Sequence, residues 1–308
     1  MTNWETTAPA QAITPAATLL LLRERAAEVE VLMMRRGQAL RFMGGMWVFP
    51  GGRVDPSDCT PAAAALVPAD VEPAQGRLCA IDGEPLPGSL ALGLRVAACR
   101  ETFEEAGLLL VRRRDGRAVA PGDLRPLHAE RERVTRTPGG FTNLLAAAGL
   151  LLDVGQLVYW SHWITPSHEP RRFDTRFFAL SMPQGQWASV DRRESTDLAW
   201  LTPRDACHAA ERGEMQLAPP TLLTLEDLDE AHTQHGGVTA MLAAERGRAT
   251  PPVMPRIRVE SSTMHVLLPW DPAYAQAQGE GSTAPAGYPP HLTRRRSSLV
   301  IPREALSR

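Results

Sequence analysis

The chain has 308 residues, 44% hydrophobic and 22% charged, with a formal net charge of −2. That length accommodates about two average domains, or one domain with additions, and a sizeable core. The near-neutral charge gives no overall attraction to nucleic acid or to an anionic membrane, so neither is expected as a partner.

Residues 1–12 are small and polar and read as a loose lead-in, without the basic stretch and apolar run of a secretory leader. Residues 18–23 read as a strand, and the apolar part of it is far shorter than the roughly 20 residues a membrane-spanning helix needs. After a turn at 25–28, Val29, Val31 and Met33 alternate with Glu30 and Leu32, which predicts a second strand and a hairpin. Gly44, Gly45, Pro50, Gly51 and Gly52 then demand tight bends or close backbone approach. Residues 59–93, rich in Ala, Pro and Gly, read as an insertion with little regular structure beyond one short helix.

The spacing predicts a helix over 94–106, with Leu94, Ala97, Ala98 and Thr102 toward a core, Glu101, Glu104 and Glu105 turned elsewhere, and Gly107 as its stop. A strand is predicted at 108–113, and helices at 124–133 and 141–148. Residues 157–164 have strand character, and 172–180 alternate as a half-buried strand does. A short strand at 198–201 and a helix at 203–212 follow. Nine of the 27 prolines lie beyond position 250, so the end of the chain is expected to be irregular or extended. Cys59, Cys79, Cys99 and Cys207 form neither a C-x-x-C pair nor a zinc-type Cys/His pattern; unpaired thiols and a reducing, cytoplasmic location are expected.

The chemistry concentrates on Glu101, Glu104 and Glu105. Their i, i+3, i+4 spacing stacks three carboxylates on one side of a helix, about 5–6 Å apart at Cβ. Such like charges repel, so the cluster is either a solvated face or a holder of a hard cation, of which Mg²⁺ and Mn²⁺ prefer oxygen ligands. All 33 basic residues are arginine; only their placement informs, since a guanidinium grips phosphate through a planar fork.

With Arg100 before the triplet, Gly107 and Leu108 after it, and Gly52 upstream, the sequence resembles the Nudix hydrolases, whose signature is G-x5-E-x7-R-E-U-x-E-E-x-G-U with U aliphatic. Thr102 takes an aliphatic position, Asp58 stands at the first Glu, and residues 59–99 fill a gap where the family has seven residues. An insertion at that place resembles the coenzyme A diphosphatase branch of the peroxisomal type and its bacterial relatives. So do Arg41, Gly45 and Phe49-Pro50-Gly51-Gly52, which fit R-x3-G-x3-F-P-G-G, and the segment from Pro170 to Phe178.

The resemblance implies an α/β/α sandwich with a mixed β-sheet over 14–210, the 59–93 insertion as a lobe beside the cleft, and a helical and extended C-terminal appendage over 211–308. It implies hydrolysis of a diphosphate linkage in coenzyme A or an acyl-coenzyme A, with Mg²⁺ or Mn²⁺ held by Glu101, Glu104 and Glu105. Glu104, Glu105 or Glu194 would take the proton, and Arg100 would fix a carboxylate of the helix. Arg41, Gly51, Gly52, Arg171 and Arg172 would contact the substrate, although an ion pair with Asp174 or Glu169 suits the two adjacent arginines equally well. His162, His168 and Glu169 are lesser candidates for the base. A diphosphatase for ADP-ribose or dinucleotides, and a Nudix-fold binding module without catalysis, are the competing readings. The region after 213 would cap the pocket, form a homodimer contact or do neither.

Overall fold

The computed structural model describes residues 13–39, 43–68, 78–167, 169–191, 193, 195–260, 263–277, 288–293 and 296–302. The expected hairpin is present: β1 (Thr14–Arg25) and β2 (Glu28–Arg36) run antiparallel, with Arg25 opposite Glu28. Its two-residue turn holds Ala26 and Ala27 at φ 51° and 66°, the left-handed pair that matches strand twist even though neither residue is glycine.

β1 organises the molecule. Along one edge it pairs in parallel with β8 (Phe173–Ser181), from Thr14 opposite Phe173 to Leu22 opposite Ser181. Its other edge is shared: β2 takes Leu22 to Arg25, while the short β4 (Gly51–Arg53) takes Ala16, Ala17 and Thr18. β3 (Trp47–Val48) and β9 (Ser195–Leu201) both pair with β2. Beyond β8 lies β7 (Val158–Ile164), antiparallel to it, and then β10 (Pro252–Val253), parallel to β7. The eight-stranded sheet is therefore mixed, as expected.

Alternation along β1 splits the core into two layers. Leu19 and Leu21 face one side with Leu32, Met34, Tyr159 and Phe178; Leu20 and Leu22 face the other with Val31, Met33, Trp160 and Phe177. The first side is covered by α2 (Gly88–Ala106) and α5 (Gly140–Ala147), where Phe103 meets Phe141 at 5.9 Å between ring centroids. It also holds α1 (Pro61–Ala64), α3 (Pro121–Ala129), α4 (Arg131–Thr135) and a ribbon of β5 (Val111–Arg113) with β6 (Leu150–Leu152). The second side is covered by α6 (Pro203–Glu211), α7 (Pro219–His235) and α8 (Val238–Glu245). A three-stranded sheet of β11 (Arg256–Glu260), β12 (Thr263–Leu267) and β13 (Ser298–Pro302) leans Val266 and Leu299 into the same layer. No described helix is long and apolar enough to cross a membrane.

Four expectations change. The long helix starts at Gly88, six residues early, so part of the insertion is helical. The strand at 108–113 shrinks to three residues, because Leu108, Leu109 and Leu110 are buried and the Leu109 backbone bonds the Gln186 amide at 2.9 and 2.8 Å instead of a strand partner. β8 is not half-buried: Arg176 through Leu180 are buried on both faces, since the sheet there is covered on both sides. Beyond 210, α7 and α8 supply Leu225, Leu228 and Met241 to the second core layer and β10 extends the main sheet, so this stretch shares the core of the 14–210 region instead of hanging from it.

Candidate active site

The split signature is reassembled against the second half of α2. Asp55 caps a single 3₁₀ turn, Pro56–Cys59, whose Asp58 carboxylate returns to the Asp55 N–H at 2.8 Å. Asp58 has no exposed surface, and the Arg100 guanidinium grips it through Nε at 3.0 Å and Nη2 at 2.9 Å. The chain leaves for the insertion at Cys59 and returns against the same point at Gly93, where a Cβ would lie 2.3 Å from the Cys59 sulfur. The insertion thus begins and ends beside the helix, and Asp58, the residue at the signature's first Glu, meets Arg100 across 42 positions. Thr102 is accommodated in the core because its hydroxyl donates to the Ala98 carbonyl at 2.7 Å.

Arg100 also holds the helix carboxylates. Its Nη1 lies 2.9 Å from Glu101 Oε1 and 3.6 Å from Glu104 Oε1, while Nη2 donates to the Arg53 carbonyl at 3.0 Å. β4 meets the helix directly: the Gly51 N–H donates to Glu105 Oε2 at 2.9 Å. A Cβ on Gly52 would fall 2.4 Å from Glu101 Oε1, and one on Gly51 would fall 2.5 Å from the Ala17 carbonyl. At Gly51 the clash is with backbone and glycine is required; at Gly52 a Cβ would force the Glu101 carboxylate aside. Glu105, expected to point away from the core, is only 6% exposed because β4 covers it.

Three carboxylates, of Asp58, Glu101 and Glu104, therefore converge on one guanidinium at the β4–α2 junction, with Glu105 held beside them by the Gly51 N–H. Burial drives the Glu104 pKa upward, Arg100 pulls it back, Glu101 adds to the rise, and it stands at about 7. At Arg100 burial works against the charge, but the bonds to Asp58 and the charges of Glu101 and Glu104 outweigh it and raise its pKa. Among the described residues no three acidic, imidazole or thiol groups already surround a common point; Glu101 and Glu104 lean on Arg100 and Glu105 on Gly51. The donors are all oxygens and their charge exceeds that of Arg100, which suits a hard divalent cation.

The family model described as the NUDT19 Nudix domain matches residues 4–228. The chain belongs to the Nudix family. Acyl-coenzyme A diphosphatase NUDT19 of Xenopus laevis is 28% identical over 227 residues, 65% of this chain and 60% of that protein. The Gallus gallus protein of the same name is 34% identical over 228 residues, 64% of this chain and 60% of its own. The match thus spans 60% of the length of these two curated relatives. The crystal structure of a Nudix hydrolase from Alicyclobacillus acidocaldarius superposes with a TM-score of 0.61 at 28% identity, covering 77% of this chain and 99% of that one.

The Nudix helix and its glycine strand bring together Arg100, Glu101, Glu104, Glu105, Gly51 and Gly52. The other expected residues stand apart. Arg171 is exposed, whereas Arg172 is buried with Nε donating to the Thr165 carbonyl at 3.2 Å, so the two do not form one fork. They precede Phe173, which lies opposite Thr14, four residues from Thr18 and hence about 13 Å along the strand from the Gly51 position. Asp174, one of the two carboxylates considered for that ion pair, holds Arg176 at 2.5 Å and the buried His162 at 2.6 Å. Arg41, His168 and Glu194 lie outside the described residues.

Sequence reasoning missed Arg131. It stands 26 residues from Glu105, in no motif, yet its Nε donates to the Glu104 carbonyl at 2.9 Å. The one available hint was the arginine-rich start of a short helix following the signature.

Proposed function

We propose that the chain hydrolyses the diphosphate linkage of coenzyme A or an acyl-coenzyme A, giving adenosine 3′,5′-bisphosphate and (acyl-)phosphopantetheine. The observation that carries this reading is the excess of buried carboxylate over guanidinium where Gly51 and Gly52 touch the Nudix helix. Similarity to proteins named acyl-coenzyme A diphosphatase supports the substrate.

Glu101, Glu104 and Glu105 would hold the cation, with Asp58 and Arg100 fixing their orientation as outer partners do at metal sites. Magnesium or manganese, when bound there, would neutralise diphosphate charge and acidify a bound water. Attack of hydroxide on one phosphorus breaks its bond to the bridging oxygen, and the second phosphate leaves. The remaining proton passes to a carboxylate, for which Glu105, Glu104 and Glu194 have the right chemistry. Of the arginines assigned to phosphate, Arg171 has the exposure to touch a ligand; Arg172 shapes the loop that presents it.

A panel of coenzyme A, an acyl-coenzyme A, NADH and ADP-ribose, assayed with Mn²⁺ and with EDTA, tests the reading. Metal-dependent release of adenosine 3′,5′-bisphosphate, with coenzyme A species preferred, is expected. Preference for ADP-ribose or NADH would move the chain to another Nudix activity.

A further inference from the structure

The C-terminal turn of the Nudix helix is stitched to a distant loop through one side chain. Arg131 Nε donates to the Glu104 carbonyl at 2.9 Å, and its Nη1 donates to both the carbonyl and the hydroxyl of Ser189 at 3.0 Å. The Ser189 N–H in turn donates to the Ala106 carbonyl at 2.9 Å, so two of the helix's last carbonyls are closed by this junction. Gly107, left-handed at φ 69°, sits inside it: a Cβ there would lie 2.9 Å from both Arg131 Nη1 and Ser189 Oγ.

Three residues before Ser189, Gln186 fastens the same loop to Leu109 through two bonds. Two residues after it, Asp191 accepts from the N–H groups of Arg193 and Ser195 at 3.1 and 3.3 Å, which fixes its carboxylate. Burial lowers the Arg131 pKa, while the charges of Asp191, Glu105 and Glu104 oppose the fall. Its Nη2 is buried without a hydrogen-bond partner among the described residues.

We propose that Arg131 is a positioning residue that docks the 186–191 loop on the end of the Nudix helix, and so brings the segment carrying Asp191 to the turn that carries Glu104 and Glu105. It touches neither substrate nor cation. It complements the partial negative charge of the helix end and fixes the distance between two acidic segments that would otherwise repel. The consequence for catalysis rests on the hydrolase reading; the docking itself does not.

The test compares wild type, Arg131→Ala and Arg131→Lys as full-length proteins. If hydrolysis of coenzyme A is the reaction, Arg131→Ala should lower kcat about ten- to a hundredfold, the scale of small misplacements of reacting groups. KM and calorimetric Mn²⁺ affinity should stay within about twofold, the acidic limb of the kcat–pH profile should move, and Arg131→Lys should recover part of the loss. In parallel, amide hydrogen exchange should accelerate at 186–191 and in the last turn of the helix in Arg131→Ala. A folded Arg131→Ala with wild-type kcat and an unmoved pH profile overturns the catalytic part, even if its melting temperature falls. Unchanged exchange at 186–191 overturns the docking. Failure of wild type to cleave any diphosphate in the panel removes the hydrolase reading, and with it the catalytic part, while exchange still decides the docking.

Discussion

Two buried arginines, on opposite sides of the sheet, show what separates a structural ion cluster from a site. Arg248, in the second core layer, pairs with Asp227 at 2.5 Å and Glu245 at 2.9 Å, donates through Nε to the Trp160 carbonyl at 3.1 Å, and lies 4.2 Å from the centre of the Trp160 ring. Two carboxylates share one guanidinium. Arg100 faces Asp58, Glu101 and Glu104, with Glu105 held alongside by the Gly51 amide. Both arginines are about equally hidden, 8% and 11% exposed. The difference is surplus: three carboxylates face Arg100 and two face Arg248, so more negative charge is left over at Arg100, to be offset by a proton or a cation.

The sharpest break of this comparison removes one carboxylate from each cluster. Glu105→Gln or Glu104→Gln should lower kcat about a hundredfold or more, the scale of losing a main electrostatic contributor. Asp227→Asn should leave kcat of the folded enzyme unchanged. Near-normal turnover in either glutamate variant would take those residues out of the catalytic centre.

The next largest effect falls on stability. Arg248→Met strips the partner from two buried carboxylates and should cost about 3–5 kcal/mol in urea unfolding, with kcat at low denaturant preserved. Should Arg248→Met instead abolish turnover while the fold keeps its stability, the second cluster could no longer be called structural.

Much of this contrast was readable from the sequence, and the unreadable part has a physical cause. The hairpin, the Nudix helix and its Gly107 stop follow from local alternation, helical spacing and the left-handed cap, all of which act within a few residues. Thr102 stood out in the sequence only as a departure, because its compensation is a bond to Ala98 inside the same helix. Asp58 and Arg131 needed three dimensions. Asp58 meets Arg100 across 42 positions, and Arg131 meets the Glu104 carbonyl across 27. No periodicity reports on pairs that distant. The misjudged burial of β8 has the same origin: alternation shows that a strand has two faces, but not that helices after 210 will cover the second.

A smaller effect follows from the close approach at Gly52. In Gly52→Ala the new Cβ would meet Glu101 Oε1 at 2.4 Å, so the carboxylate must swing away from its place beside Arg100. Mn²⁺ affinity measured by calorimetry should fall about tenfold, since a ligand is displaced without being removed. Gly51→Ala makes a useful counterpart: its clash is with the Ala17 backbone, so it should destabilise the β1–β4 pairing by about 1–3 kcal/mol before it affects the metal. Equal metal affinity in Gly52→Ala and wild type would mean that Glu101 is not a ligand.

The finest distinction between the clusters is a proton. With its pKa raised from 4.5 to about 7, chiefly by burial, Glu104 keeps in the folded state a proton that the unfolded chain has already released. Stability from this group is therefore fully present below about pH 4.5, declines as pH rises, and is gone above about pH 7. A cation must displace the same proton, so the loss is recovered when metal binds. For a single group of pKa about 7, Mn²⁺ affinity should rise about threefold between pH 6.5 and 7.5 and flatten above pH 8. Glu104→Gln should bind more weakly and lose that slope, while Asp227→Asn should keep it. A wild-type affinity independent of pH across this range would show that Glu104 is already ionised without metal, and that the surplus charge at Arg100 is tolerated by some means other than protonation.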